Sequence, residues 1–385
     1  MIRDKIVIED TTLRDGEQAP SVSFSMDDKL QIAKMVSDIL SEDDSIDAGF
    51  PAISENESEI VSEICKNIEK NYILGLSRLR KDDIDKAYSS MHYTSKRKIG
   101  LIIPTSKIHL ENKLNITPDE LIERAISCIN YSQQYFDDVE VGFEDASRTD
   151  IEYLCKITEE IIKAGAKSIT IADTLGYWLP HEAKFCIEQI INEVSNISEL
   201  NYLGVHCHND LGLALANSIE ALKAGANKIG SSFNGLGERA GNTSTEQILV
   251  LQQVKRLESR NQNIGKYKYD KIWECSRLVE KLSGIDVQKN SPIIGGNCYV
   301  HESGIHQDGI LKDRSTYQLF DPALVGYKGD IFYYGKHSGK SGLKFKLQQL
   351  GINIEEVNMD QYYQNFMILC NTKKQLTDKD FIDIL

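Results

Sequence analysis

Three short stretches of this chain carry residues able to hold a metal ion and polarise a carbonyl group. His206-Cys207-His208 follows an apolar run, and in an extended segment residues two apart project to the same side, so both imidazoles can reach one ion. Asp15, within Arg14-Asp15-Gly16, adds an anionic oxygen, and Asn242, after Gly241, adds an amide oxygen. Two imidazoles with oxygen donors suit an octahedral divalent cation (Mg²⁺, Mn²⁺ or Zn²⁺) with positions left open for substrate. Each residue also has an ordinary use. A strand-end histidine is often just hydrogen-bonded, Asp15 can close a turn with Gly16, and Asn242 can serve a turn after Gly241.

To bring such distant residues together, the chain needs a repeating scaffold, and its first two thirds show one. Short β-branched or apolar runs stand at 6–9, 45–48, 73–76, 99–103, 139–143, 168–172, 203–206 and 228–232. Segments with helical apolar spacing lie between them, among them 29–40, 121–131, 151–164 and 213–224. Strands alternating with helices in this way predict an α/β fold, a (β/α)8 TIM barrel, with an open doubly wound sheet as the alternative. The polar segments 10–18, 144–148, 173–176, 206–210 and 234–242 each follow a strand run. In a barrel they converge on the C-terminal face, whereas an open sheet would spread them along one edge. The rhythm stops near residue 260. The reading is therefore a catalytic barrel over 1–260 and a smaller, mostly helical subdomain over 261–385, with helices at 267–282 and 341–350 and a Gly- and His-bearing loop at 290–312.

Composition restricts the class of protein. The chain has 385 residues, 41 % of them hydrophobic and 26 % charged, the balance of a globular protein. A net charge of −14 excludes nucleic acid or an anionic membrane as a whole-surface partner, but leaves room for a local basic site. No apolar stretch approaches the roughly 20 residues of a membrane span, and the N-terminus has no signal-peptide core. The cysteines (Cys65, Cys128, Cys155, Cys186, Cys207, Cys275, Cys298, Cys370) stand singly, as reduced thiols of a cytoplasmic protein do.

The stretch 10–18 (DTTLRDGEQ) resembles the opening motif of the 2-isopropylmalate synthase and homocitrate synthase family. So do 204–213 (GVHCHNDLGL), 234–242 (NGLGERAGN) and 303–309 (SGIHQDG), in the same order. The resemblance implies an acyltransferase that condenses acetyl-CoA with a 2-oxo acid to give a 2-alkylmalate and CoA, in branched-chain amino-acid (leucine) biosynthesis, with a specialised chain extension as the alternative. It implies metal ligation by Asp15, His206 and His208, with Asn242 as a further ligand or as a partner of one. Arg14 would polarise the oxo group, Thr174 would hold the substrate carboxylate, and Gln18 would join the substrate-binding set. Glu144 and His306 would handle protons, with His306 delivered from the neighbouring subunit of a homodimer. Histidine suits that task because its ordinary pKa lies near 6.5, and a nearby Glu144 would keep it basic; a capping or interface histidine is the plain alternative. Gly235, Gly237 and Gly241 would let the backbone approach the pantetheine of coenzyme A, tight turns being their plain alternative.

Departures from the family bear on the acceptor. Lysine-pathway homocitrate synthases hold a second carboxylate with a histidine after the third strand and an arginine in the fifth. Leu76 and Glu140 stand at the matching positions, which disfavours 2-oxoglutarate. Isopropylmalate synthases often have His, Ser and Pro where Gly100, Gly142 and Ala172 stand here, which predicts a roomier pocket for 2-oxoisovalerate or a bulkier apolar oxo acid. Neighbouring side chains filling the space is the plain alternative. Nitrogen-fixation homocitrate synthases share small residues and a segment like 144–148 (EDASR), so homocitrate formation is the runner-up. The segment 41–45 (SEDDS) and Asp47, where the family has Glu, depart near the second strand, and the chain ends at Leu385 without the leucine-sensing domain of many relatives, so leucine feedback through it is not expected. A carbon–carbon lyase of the hydroxymethylglutaryl-CoA type would need a reactive cysteine after the eighth strand, where this chain has Gly237-Glu238-Arg239-Ala240-Gly241. A non-catalytic relative would have lost at least one ligand.

Overall fold

The computed structural model describes residues 5–255 and 266–385. They divide into two compact units, the first running to Asp286 and the second Val287–Leu385.

The first unit is built on eight parallel strands: β1 (Val7–Asp10), β2 (Ser45–Gly49), β3 (Tyr72–Ser77), β4 (Arg97–Pro104), β5 (Val139–Glu144), β6 (Ser168–Asp173), β7 (Tyr202–Cys207) and β8 (Lys228–Ser231). They follow one another in sequence order, and β8 pairs back onto β1, with Ile8 opposite Ile229. That closing pair makes a barrel and sets aside the open sheet. Every strand expected from the sequence is a strand here, with ends shifted by a residue or two. The runs were readable because parallel strands covered by helices are buried on both faces. Ile73, Ile99, Val141, Ile169, Val205 and Ile229 are all 0 % exposed.

Helices fill the crossovers: α1 (Met26–Ile39), α2 (Glu55–Asn67), α3 (Lys81–Met91), a single turn α4 (Lys107–His109) leading into the π-helical Leu110–Leu114, α5 (Pro118–Ser132), α6 (Ile151–Lys163), α7 (Pro180–Glu193), α8 (Ala214–Ala224), α9 (Thr245–Lys255) and α10 (Ile272–Ser283). Their starts are encoded locally. Ser25 with Asp28, and Thr117 with Glu120 ahead of Pro118, form capping boxes that satisfy the first free N–H groups of α1 and α5. The residues of α10 read from the sequence as part of the second region, but the helix packs in the first unit. Its Ile272, Cys275 and Val279 are fully buried, and Ser276 and Asn234 exchange hydrogen bonds. Among the described residues no helix is long and apolar enough to cross a membrane.

The acidic turn before β2 fastens the barrel. Asp44 is fully buried and accepts from the backbone N–H of Ile8 at 2.8 Å and of Ser41 at 2.7 Å, tying β1 to the turn. Glu246, at the start of α9, is likewise buried and accepts from Asn234 N–H at 3.1 Å, while its Oε1 has no partner. Burial pushes Glu246 up to about 7. A carboxyl whose folded pKa exceeds its unfolded value binds more protons when folded, so its contribution to stability falls as pH rises from about 4.5 to about 7 and stays low above that. Glu246→Gln is therefore expected to raise the thermal midpoint more at pH 8.5 than at pH 5.5. Equal shifts at the two pH values, read by calorimetry, would contradict this.

The second unit contains α11 (Gly304–Lys312), α12 (Lys340–Gln349), α13 (Met359–Thr372) and α14 (Asp378–Asp383) around Leu343, Leu347, Tyr362, Phe366 and Phe381. The sequence reading of 290–312 as loop is corrected over its last nine residues, which form α11. Gly304 and Gly309 weaken helix propensity there and hid the helix. Gly304 is required by close packing, since a Cβ on it would stand 2.7 Å from the Gly339 backbone nitrogen.

A candidate metal and acceptor site at the barrel mouth

The C-terminal ends of the strands and the loops that follow them enclose a cavity of about 870 Å³. At its head lie Asp15, from the loop after β1, and His206 and His208, from β7 and just beyond it. His206 Nε2 stands 3.0 Å and His208 Nε2 3.7 Å from the same oxygen, Asp15 Oδ2. One ligand atom from each residue lies within 4.8 Å of the others. The backbone makes room for this arrangement at Gly230 on β8, where a Cβ would fall 2.6 Å from His206 Nδ1.

Electrostatics prepares these groups as ligands. Burial pushes Asp15 up, but the Arg14 guanidinium and the two imidazoles outweigh it and hold the carboxyl well below its usual range. Burial, and then the neighbouring His206, push His208 down to about 3, so its ring is neutral at physiological pH, the form that binds metal. Asn242 pairs with His208 in an isolated β-bridge. Its side-chain NH₂ donates to Leu236 O at 3.0 Å, while its buried Oδ1 has no partner. A carboxylate, two imidazoles and an orphaned amide oxygen fit a divalent ion.

Arg14 is fixed from two sides. Its Nε donates to Asp47 Oδ2 at 2.8 Å and its Nη1 to Asp15 Oδ2 at 3.1 Å. Asp47, which departs from the family's Glu, thus reaches the arginine from a fully buried position. Thr174, after β6, accepts the Asp145 N–H at 2.9 Å on its Oγ1, which leaves its own hydroxyl hydrogen for another partner. Both Glu144 oxygens receive the Lys113 ammonium, at 2.7 and 2.8 Å. Asp145 holds a left-handed backbone (φ 61°) beside it, and Arg148 grips the Asp145 carboxylate at 2.9 and 2.7 Å.

Arg14, Asp15, Gln18, Leu76, Gly100, Gly142, Glu144, Ala172, Thr174, His206 and His208 all line this one cavity. Gly235, Gly237, Gly241 and Asn242 do not belong to its lining. The loop itself accounts for these glycines. Gly235 and Gly241 have φ of 64° and 86°, and a Cβ on Gly237 would fall 2.3 Å from Asn242 Nδ2. His306 lies on α11 in the second unit, exposed, with its ring stacked on Tyr317 at 4.0 Å. The sequence reading missed Lys113, and it missed Glu9, Thr170 and Lys228 deep in the barrel. A lysine opening an apolar strand at 228 was the available signal, because a buried lysine needs a buried anion.

Comparison with known proteins follows the same division of the chain. The HMGL-like family model matches residues 5–279, and the model described as homocitrate synthase post-HMGL domain-like matches residues 293–374. The chain is 42 % identical to the 2-isopropylmalate synthase of Dictyoglomus turgidum over 376 residues, covering 98 % of this chain and 73 % of that one. It is 40 % identical to the 2-isopropylmalate synthase of Pyrococcus abyssi over 385 residues, covering 99 % and 77 %. Among solved structures, hydroxymethylglutaryl-CoA lyase from Pseudomonas aeruginosa superposes with a TM-score of 0.62 at 17 % identity, covering 74 % of this chain and 95 % of that one. At that identity the likeness is one of fold.

Proposed function

The chain belongs to the 2-isopropylmalate synthase family of acyltransferases, and from that premise we propose how its own residues carry out the condensation of acetyl-CoA with a 2-oxo acid. The observation that carries the reading is the Asp15–His206–His208 cluster at the head of a cavity also lined by Arg14, Thr174 and Glu144. Asp15, His206 and His208 would hold a divalent ion (Mg²⁺, Mn²⁺ or Zn²⁺), which when bound would supply Lewis-acid polarisation of the acceptor carbonyl.

Thr174 donates its free hydroxyl hydrogen to the acceptor carboxylate. Arg14, held rigid by Asp47 and Asp15, directs its remaining N–H donors at the carbonyl oxygen and stabilises the alkoxide that develops there. His306, with Glu144, takes a proton from the acetyl methyl group, whose carbon then bonds to the acceptor carbonyl carbon. The alkoxide takes up a proton, and water cleaves the thioester to leave a 2-alkylmalate and CoA. The acceptor side chain rests between Leu74, Leu76 and Ala172, an apolar lining that favours 2-oxoisovalerate or a bulkier oxo acid. The absence of a cation at Leu76 and Glu140 disfavours 2-oxoglutarate. We place the enzyme in the cytoplasm as a homodimer in which His306 comes from the second subunit. The exposed Ile305 and Leu319 near this histidine in sequence support a protein-covered surface there.

The direct test is CoA-thiol release from acetyl-CoA across pyruvate, 2-oxoisovalerate, 4-methyl-2-oxopentanoate, phenylpyruvate and 2-oxoglutarate, with Mg²⁺ or Mn²⁺. Turnover with a branched or bulkier apolar acid supports the reading. Preference for 2-oxoglutarate would overturn the acceptor assignment, and no release with any acceptor would overturn the activity. A second experiment checks the shared site. Glu144→Gln and His306→Ala are each expected to be nearly inactive, and mixing them under subunit exchange should restore roughly a quarter of wild-type activity, because half of the two-fold dimers then hold one intact site out of two. No recovery in a mixture shown to exchange subunits would place His306 in its own subunit's site.

A further inference from the structure

The inner end of the acceptor cavity is polar. Glu140 and Gly142 share the inward face of β5, and Thr170 and Ala172 share that of β6. A Cβ on Gly142 would meet nothing within 4 Å, so the barrel interior is open at that point. On the other side a Cβ on Gly100 would fall 2.7 Å from Leu76 Cδ2 and 3.5 Å from Leu74 Cδ1, so those leucines fill the space above that glycine. The roominess expected of both glycines is therefore realised at Gly142 alone.

The opening leads toward Glu140. Thr170 donates to its Oε1 at 2.7 Å, and Lys228 binds the same oxygen while reaching Glu9 Oε2 at 3.0 Å. The three charged residues are 3 %, 1 % and 5 % exposed, in the order Glu140, Lys228, Glu9. Both partners of Glu140 converge on Oε1, and Oε2 is buried with no hydrogen-bond partner. Lys228 bridges the two carboxylates and the buried Lys98 adds a second positive charge near Glu140, yet neither donates to Oε2. An unpaired carboxylate oxygen in such surroundings is costly, and a donor brought to it forms a short, charge-assisted hydrogen bond.

Resting on the acyltransferase reading above, we infer that the cavity selects a 2-oxo acid whose side chain is an apolar shaft ending in a hydroxyl, received by Glu140 Oε2. A plain alkyl tip leaves that oxygen unpaired. A carboxylate tip meets like charge at short range in a poorly solvated site. Leu74, Leu76 and Ala172 hold the shaft, Gly142 lets it pass, and Glu140 reads its end.

The test compares matched acceptors in the wild-type enzyme: phenylpyruvate against 4-hydroxyphenylpyruvate, and 4-methyl-2-oxopentanoate against 5-hydroxy-4-methyl-2-oxopentanoate, with 2-oxoisovalerate as reference. In at least one pair the hydroxylated member is expected to have a kcat/KM higher by about tenfold or more. Two variants locate the cause. Glu140→Gln combined with Lys228→Met should reduce that preference to about twofold or less, by removing the charged acceptor and its counter-ion together. Gly142→Val, whose Cβ would meet nothing within 4 Å, should abolish the preference by blocking the passage. Hydroxylated acids no better in either pair would overturn the inference, as would a preference that survives in a folded form of either variant. Absence of turnover with every acid, 2-oxoisovalerate included, would strike the acyltransferase reading instead.

Discussion

Asp15→Asn is expected to lower CoA release by about 10³-fold or more and to weaken divalent-metal binding, while the protein stays folded. Asp15 contributes the only negative charge of the three-residue cluster, and both imidazoles and the Arg14 guanidinium converge on its Oδ2. The amide keeps the side-chain volume, so Oδ1 can still accept the Glu238 N–H, now 3.3 Å away. What it removes is the anion that draws a cation to the two imidazoles. Several kcal/mol of carbonyl polarisation depend on that ion, and about 1.4 kcal/mol is worth a factor of ten in rate. Metal content by elemental analysis and kcat with 2-oxoisovalerate would be measured on the same preparation. Full activity with normal metal uptake would remove Asp15 from the site.

Arg14→Gln is expected to reduce kcat by about 10²- to 10³-fold with a smaller change in KM, because in the mechanism proposed above the donor it removes would act where charge develops in the transition state. This substitution also disturbs the fold, and the two effects can be separated. Asp47 is 0 % exposed and loses its partner, and breaking a buried ion pair from one side costs about 3–5 kcal/mol. Burial already pushes the Asp47 carboxyl up, and Arg14 is the leading opposing influence. Adding Asp47→Asn to Arg14→Gln should therefore recover stability without recovering activity. Recovery of both would make Arg14 a structural residue. Arg14→Lys is expected to fail as well, since a single ammonium cannot reproduce the paired Nε and Nη1 contacts.

Sequence reasoning reached the strands more surely than the helices of the second unit. The barrel strands are apolar on both faces, and the register of β7 is visible in His206-Cys207-His208 itself, where the buried Cys207 separates two inward imidazoles. The second unit gave a weaker signal. Gly304 and Gly309 stand in α11 because of close packing against Gly339 and Tyr317, neighbours that are distant in sequence or lie beyond the helix. Local propensity had no access to that constraint, and the helix read as loop. The glycines of 234–242 carried two readings from the sequence, a cofactor approach and tight turns, and positive φ with the packing of Asn242 gives each a reason within the loop.

What the sequence determined by itself was the period of the barrel, the chemistry-bearing residues that end its strands and the identity of the candidate ligands, because each depends on local pattern and residue type. Tertiary structure alone decided which partners those residues meet. Asp47 reaches Arg14, Lys113 covers Glu144, and Lys228 joins Glu9 to Glu140 across separations of 33, 31, 219 and 88 residues. It also decided that Leu76 fills the space over Gly100 while the space at Gly142 stays open. The reason is physical: a residue's type states what interaction it needs once buried, but closure of the barrel selects the partner that satisfies it and the oxygen that is left unsatisfied.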